Sequence, residues 1–147
     1  MAKVLKVILD GCEILIDKKD VKNLNLSALK VARSGYVELG GKLLHRIIMN
    51  PPRELDIDHI NRNPLDNRRC NLRPCTMSQN LMNRPKTRAN SSGFKGVYLS
   101  KKTGKFIAQI KAYKKTYYLG IFDTAQEASA AYQKNAKKYH GKFRYKE

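Results

Sequence analysis

The sequence predicts an α+β fold built from small antiparallel sheets, and three observations carry that expectation. Apolar runs flank two-residue turn signals twice within the first forty residues. An alternating strand ending on Asp58-His59 leads into a polar loop, a second short strand and a capped helix. From Gly93 onward the pattern changes to three strands and one helix. Four segments follow: a small β-rich unit over 1–42, a strand–loop–strand–helix core over 43–85, a linker over 86–92, and a three-stranded antiparallel sheet packed on one helix over 93–147.

In the first segment Val4, Leu5, Val7, Ile8 and Leu9 form one apolar run, and Ile14, Leu15 and Ile16 form another. Asp10-Gly11 between them predicts a tight hairpin, because both residues tolerate positive φ. After the DKKD turn, Leu29–Arg33 and Tyr36–Leu39 flank Ser34-Gly35 in the same manner. Gly40-Gly41 is expected to break the sheet. Leu43, Leu44, Ile47 and Ile48 then fall at helical spacing, and Asn50-Pro51-Pro52 stops that helix. His45 rides on it; a lone helical histidine of this kind reads as structural.

The stretch Leu55–Asn83, LDIDHINRNPLDNRRCNLRPCTMSQNLMN, organises the centre of the chain. A second short strand is expected through Asn71-Leu72-Arg73. Thr76, with Gln79 three residues on, starts a helix carrying Asn80 and Asn83, and Pro85 ends it. Strand, loop, strand and helix in that order would bring Asp58, His59, Asn71 and Asn80 into one neighbourhood. A carboxylate, an imidazole and an amide oxygen at one point can hold a hard cation and activate a water. Taken alone, Asp58-His59 also reads as a turn-capping acid beside a surface histidine. Arg62, Arg68, Arg69 and Arg73 surround this stretch, either to bind phosphate or to cover the loop; phosphate is the favoured reading.

In the last segment Phe94–Leu99, Lys105–Ala112 and Thr116–Phe122 are the expected strands. The middle one puts Phe106, Ala108, Ile110 and Ala112 on one face, and Ile107, Gln109, Lys111 and Tyr113 on the other. Thr124 and Glu127 form a capping box for a helix running to Gly141, whose Ala125, Ala128 and Ala131 would lie close on the sheet.

Charge narrows the partner. The chain has 30 Lys and Arg against 12 Asp and Glu, a formal net charge of +18 over 147 residues. Residues 91–147 hold 13 basic and 3 acidic residues, and residues 1–90 hold 17 and 9, so both halves are basic. Nucleic acid is the first candidate, since many Lys and Arg together are rewarded by phosphate neutralisation. A cationic protein of membranes or of ribosomal RNA is the bland alternative. No apolar run reaches the roughly 18 residues of a membrane span, and Asp10 stands too early for a secretory signal. Cys12, Cys70 and Cys75 are odd in number and lack paired spacing, against a disulfide framework or structural zinc. An intracellular, DNA-associated protein is the simplest expectation.

The words LLHRIIMN, DHINRNPLDNRRCNLR and TMSQNLMN, with Asp58-His59, Asn71 and Asn80 at their spacing, resemble the phage- and intron-associated homing branch of the HNH endonucleases. That family uses a ββα-metal fold. The resemblance implies His59 as general base, Asp58 and Asn80 as metal ligands, and Asn71 as the catalytic-site residue that fixes the loop and the histidine. With Asn80 in place of the third family letter, the implied ligands are all oxygen, which favours magnesium (Mg2+) or manganese over zinc.

Further on, FKGVY, GKFIAQIK, YYLGIFDT and AAYQKNAKKYHG resemble the plant ethylene-response-factor (APETALA-type) DNA-binding domain. That family lays a three-stranded sheet in the major groove with a helix behind it. The resemblance implies DNA contacts at Lys95, Tyr98, Gln109, Lys111, Thr116 and Tyr118. Several of these are Arg or Trp in the plant proteins, and Lys reads guanine less well than Arg does. A plain solvated basic face is the alternative for this sheet. The expectation from both halves is a metal-dependent HNH endonuclease on double-stranded DNA, nicking one strand, as a monomer. A DNA-binding regulator without cleavage activity and an RNA-binding protein are its rivals.

Overall fold

The computed structural model describes residues 3–145. The protein is α+β, and it divides into two compact units, one ending at Met77 and the other starting at Ser78.

In the first unit β1 (Val4–Leu9) and β2 (Cys12–Asp17) form the expected hairpin, with Asp10 and Gly11 at φ 50° and 76°. Both angles are left-handed, as the tight primed turn requires. A short helix α1 (Lys18–Val21) follows. Next comes a meander of β3 (Leu29–Val31), β4 (Val37–Leu39) and β5 (Lys42–Leu43). Here the sequence misleads. Gly40-Gly41 does not break the sheet but turns it, at φ 57° and 76°, so that Leu39 pairs with Lys42. Helix α2 (Leu44–Met49) leaves β5 directly and ends at Asn50, whose φ of 43° lets its N–H donate back to Arg46 O at 2.8 Å. The antiparallel pair β6 (Asp56–His59) and β7 (Leu72–Cys75) completes the unit, with Asp58 opposite Arg73 and His59 opposite Leu72.

One core holds all of this. Ile14, Ile16, Leu29, Val37, Leu44, Ile48, Ile57 and Leu72 are buried together. The segment boundary expected at 42/43 therefore runs through a shared interior. A lone hairpin and a short meander have too little apolar face to stand alone, and β2 supplies its two isoleucines to the helix and strands that follow. The main chain joins them as well. Leu15 N–H donates to Leu65 O at 3.0 Å, and Asn67 N–H donates to Leu15 O at 2.8 Å.

Helix α3 (Met77–Asn83) opens the second unit from its second residue, Ser78, and the polar stretch 86–92 follows it. The far end of that stretch is built into the unit: Asn90 Nδ2 donates to Phe94 O and Val97 O, and Ser92 Oγ donates to Val97 O at 2.8 Å. Strands β8 (Val97–Leu99), β9 (Phe106–Ala112) and β10 (Lys115–Phe122) form an antiparallel sheet with β9 central. Helix α4 (Ala125–His140) has the expected capping box between Thr124 and Glu127. It buries Ala125, Ala128, Ser129, Tyr132, Ala136 and His140. Ala131, expected on that face, is only half-buried because the buried stripe drifts to Ser129 and Tyr132. Gly96 is required here. Its φ is 72°, and a Cβ would stand 2.3 Å from the Tyr132 ring.

Candidate functional site

His59 ends β6 in the interior of the first unit, with 5 % of its surface exposed. Its Nε2 faces Asn67 Oδ1 at 3.4 Å. Asn67 is wholly buried, its Nδ2 donates to Pro64 O at 3.1 Å, and its main-chain N–H is held by Leu15. Because the Asn67 amide nitrogen is committed to Pro64, its oxygen is the atom turned to the imidazole. Nε2 then carries the ring proton and Nδ1 keeps the lone pair. Burial pushes the His59 pKa down from 6.5, while the Asn67 bond and the charges of Asp58 and Asp66 pull the other way. The net shift is downward, so the ring is neutral at physiological pH and able to accept a proton.

Asp58 precedes it, also buried, and pairs with Arg73 across the strands. Arg73 donates to Asp58 Oδ2 from Nε at 2.8 Å and from a terminal nitrogen at 2.5 Å. Asn71 stands at the base of the loop. Its Oδ1 accepts from Asn61 N–H at 2.9 Å, its Nδ2 donates to Asp66 O at 2.8 Å, and its own carbonyl accepts from Ile60 N–H at 2.8 Å. These bonds tie Asn71 to Asn61 and Asp66 of the loop and to Ile60 at its start.

Within the loop Asp66 is 1 % exposed and accepts from Asn61 Nδ2 and from both Nε and a terminal nitrogen of Arg68. The Arg68 hydrogen bond, more than its charge, holds the Asp66 carboxyl below the usual carboxylate range. Arg69 is tied to Asp20 and to Ile48 O, while its main-chain N–H donates to Asp17 Oδ2 at 2.9 Å. Three of the four arginines expected to meet phosphate thus pair with acids of the protein itself. Arg62 is exposed, at φ 65°.

Sequence reasoning missed four neighbours of His59. Asn67 and Asp66 lie in NPLDN, which reads as an ordinary turn, and only the fold turns their side chains inward. His45, read as structural, stands with its ring centroid 5.0 Å from that of His59, at 81°. Tyr36 contacts both rings, at 5.5 and 5.9 Å.

Burial first, then the proximity of His59 and Arg46, pushes the His45 pKa down to about 4 from 6.5. In the unfolded chain the ring takes a proton near pH 6.5, whereas in the fold it refuses one until about 4. Stability contributed by the neutral ring is therefore intact above pH 6.5 and is lost as pH falls toward 4, by up to about 3 kcal/mol. Denaturant midpoints between pH 7 and 4 should show the loss, and His45→Phe should reduce it.

In the second unit Asn80 is half-buried on α3. Tyr98, Gln109, Lys111, Thr116 and Tyr118 are exposed on the open face of the sheet, with Gln109 opposite Tyr118 and Lys111 opposite Thr116. Lys95, expected among the DNA contacts, is half-buried. Its Nζ donates to Met82 O and Arg84 O, each at 2.6 Å, where a cation at a helix C-terminus is favoured.

Among the described residues there is no group of three or more His, Cys, Asp and Glu able to hold a metal, and no helix long and apolar enough to cross a membrane. The donor chemistry at Asp58 suits a cation that takes one or two protein oxygens and completes its shell with substrate and water, as magnesium does.

Residues 42–82 match a family model described as HNH endonuclease. The match spans β5 to α3 and leaves the sheet of the second unit outside it. Among curated proteins and among solved structures, nothing matches the chain.

Proposed function

We propose that the protein is a divalent-metal-dependent endonuclease of the HNH homing type that binds double-stranded DNA and nicks one strand. The observation that carries this is the buried, neutral His59 with its tautomer set by Asn67, next to Asp58 and inside the matched segment. In this reading His59 Nδ1 takes the proton from the attacking water, and Asn67 and Asn71 keep ring and loop in place. Asp58 is the ligand the first unit supplies; for Asn80 the ligand role rests on family spacing alone. When bound, a magnesium or manganese ion would neutralise charge at the scissile phosphate. Arg73, paired with Asp58, would be released toward a phosphate once Asp58 has another cation to serve.

The sheet face with Tyr98, Gln109, Lys111, Thr116 and Tyr118 would add duplex affinity, in keeping with the ethylene-response-factor resemblance. One observation favours the rival reading of a regulator that binds without cutting: Asp58 is already neutralised by Arg73. Relaxation of supercoiled plasmid decides between them. Magnesium-dependent nicking that Asp58→Ala removes, and that added manganese does not restore, is the expected result. Binding without any metal-dependent nicking would establish the regulator instead.

A further inference from the structure

We propose that His45 is a positioning residue which, with Tyr36, walls in the His59 imidazole and holds its ring plane. The inference rests on His59 being the general base. Three rings meet here pairwise: His45 with His59 edge-on at 5.0 Å, Tyr36 with His45 at 5.5 Å, and Tyr36 with His59 at 5.9 Å. The third neighbour of His59 is Asn67, whose Oδ1 stands 3.4 Å from Nε2, at the long end of a hydrogen bond. A ring turned away from that amide would lose its set tautomer and present the wrong atom to the water.

The plain alternative is that His45 fills space in the core. Two features count against it. His45 is 4 % exposed, and its Nδ1 is buried with no hydrogen-bond partner among the described residues, a cost that leucine or phenylalanine would avoid at the same place. Secondly, an edge-on contact between flat rings fixes an angle, 81° here, which an aliphatic side chain of equal volume cannot do. Helix α2 is short and leaves β5 without a loop, so the backbone beneath His45 is set by the same core that sets β6. Both rings are therefore mounted on one rigid support.

The test compares His45→Phe, which keeps a flat ring, with His45→Leu, which keeps only bulk, and adds Tyr36→Leu at the more exposed wall. Single-turnover plasmid nicking at saturating enzyme should fall about 10- to 100-fold in His45→Leu. Phenylalanine should recover it to within about fivefold, and duplex affinity should stay within about threefold throughout, as misplacement of a reacting group affects the chemical step. A second readout does not depend on cutting. The ring nitrogen resonances of His59 should report one tautomer in the native protein and averaging in both leucine variants. Leucine variants that cut like phenylalanine, or a His59 spectrum unchanged by them, would overturn the proposal. Native protein that fails to nick, or His59→Ala that nicks normally, would instead overturn the general-base reading, and the two failures are thereby told apart.

Discussion

Replacing His59 by alanine should lower DNA cleavage by about 10²- to 10⁴-fold, the range ascribed to a positioned general base. Duplex affinity should remain within a few-fold of the native value. The two effects separate because the imidazole is buried and neutral, and so contributes little to the attraction of a polyanion. Attraction comes from the net charge of +18, spread over both halves of the chain. Loss of β6 geometry is not expected, since Ile57 and the Asp58–Arg73 pair keep the strand in register. Single-turnover cleavage and a binding titration on the same duplex measure the two quantities independently. Equal loss of both would remove His59 from the chemistry and make it a structural residue.

The second large effect lies far from His59 in sequence. Ile14→Ala combined with Ile16→Ala should unfold the first unit and abolish cleavage, although neither residue belongs to the segment that matches a nuclease family. Both isoleucines are wholly buried among Leu29, Val37, Leu44, Ile48, Ile57 and Leu72. Each truncation costs roughly 2–5 kcal/mol, against a total of about 5–15 kcal/mol for a typical domain. Strand β2 also carries Leu15, whose N–H and carbonyl brace the loop that holds Asn67. The second unit has its own interior of Val97, Ala108, Ala128, Ile110, Tyr132 and Ala136, and should stay folded. Hydrogen exchange read residue by residue would show loss of protection confined to residues before Met77. A double variant that keeps protection there and still cuts would show that the hairpin is dispensable.

The hairpin turns, the strands of the second unit and the capping box of α4 were legible in sequence because each is decided locally. Asp10-Gly11, the alternation through β9, and Thr124 with Glu127 state their conformations within a few residues. Gly40-Gly41 was not, since two glycines permit a break and a turn equally, and only pairing of β5 with β4 chose the turn. The intramolecular partners of Arg68, Arg69, Arg73 and Lys95 were hidden for a related reason. A long cationic side chain takes whichever acid or carbonyl the fold brings near, and those partners lie up to 49 residues away in sequence.

At the site itself, the sequence alone singled out Asp58, His59, Asn71 and Asn80, because a carboxylate, an imidazole and amide oxygens are the groups that water activation by a hard cation uses. Only the tertiary structure decided what surrounds His59. Asn67, His45 and Tyr36 approach His59 from a loop, a helix and a turn that are separate in sequence, and Leu15 braces that loop from a hairpin more distant still. The physical reason is that a reactive group's identity is a property of one residue, whereas its tautomer, pKa and orientation belong to the packed interior around it.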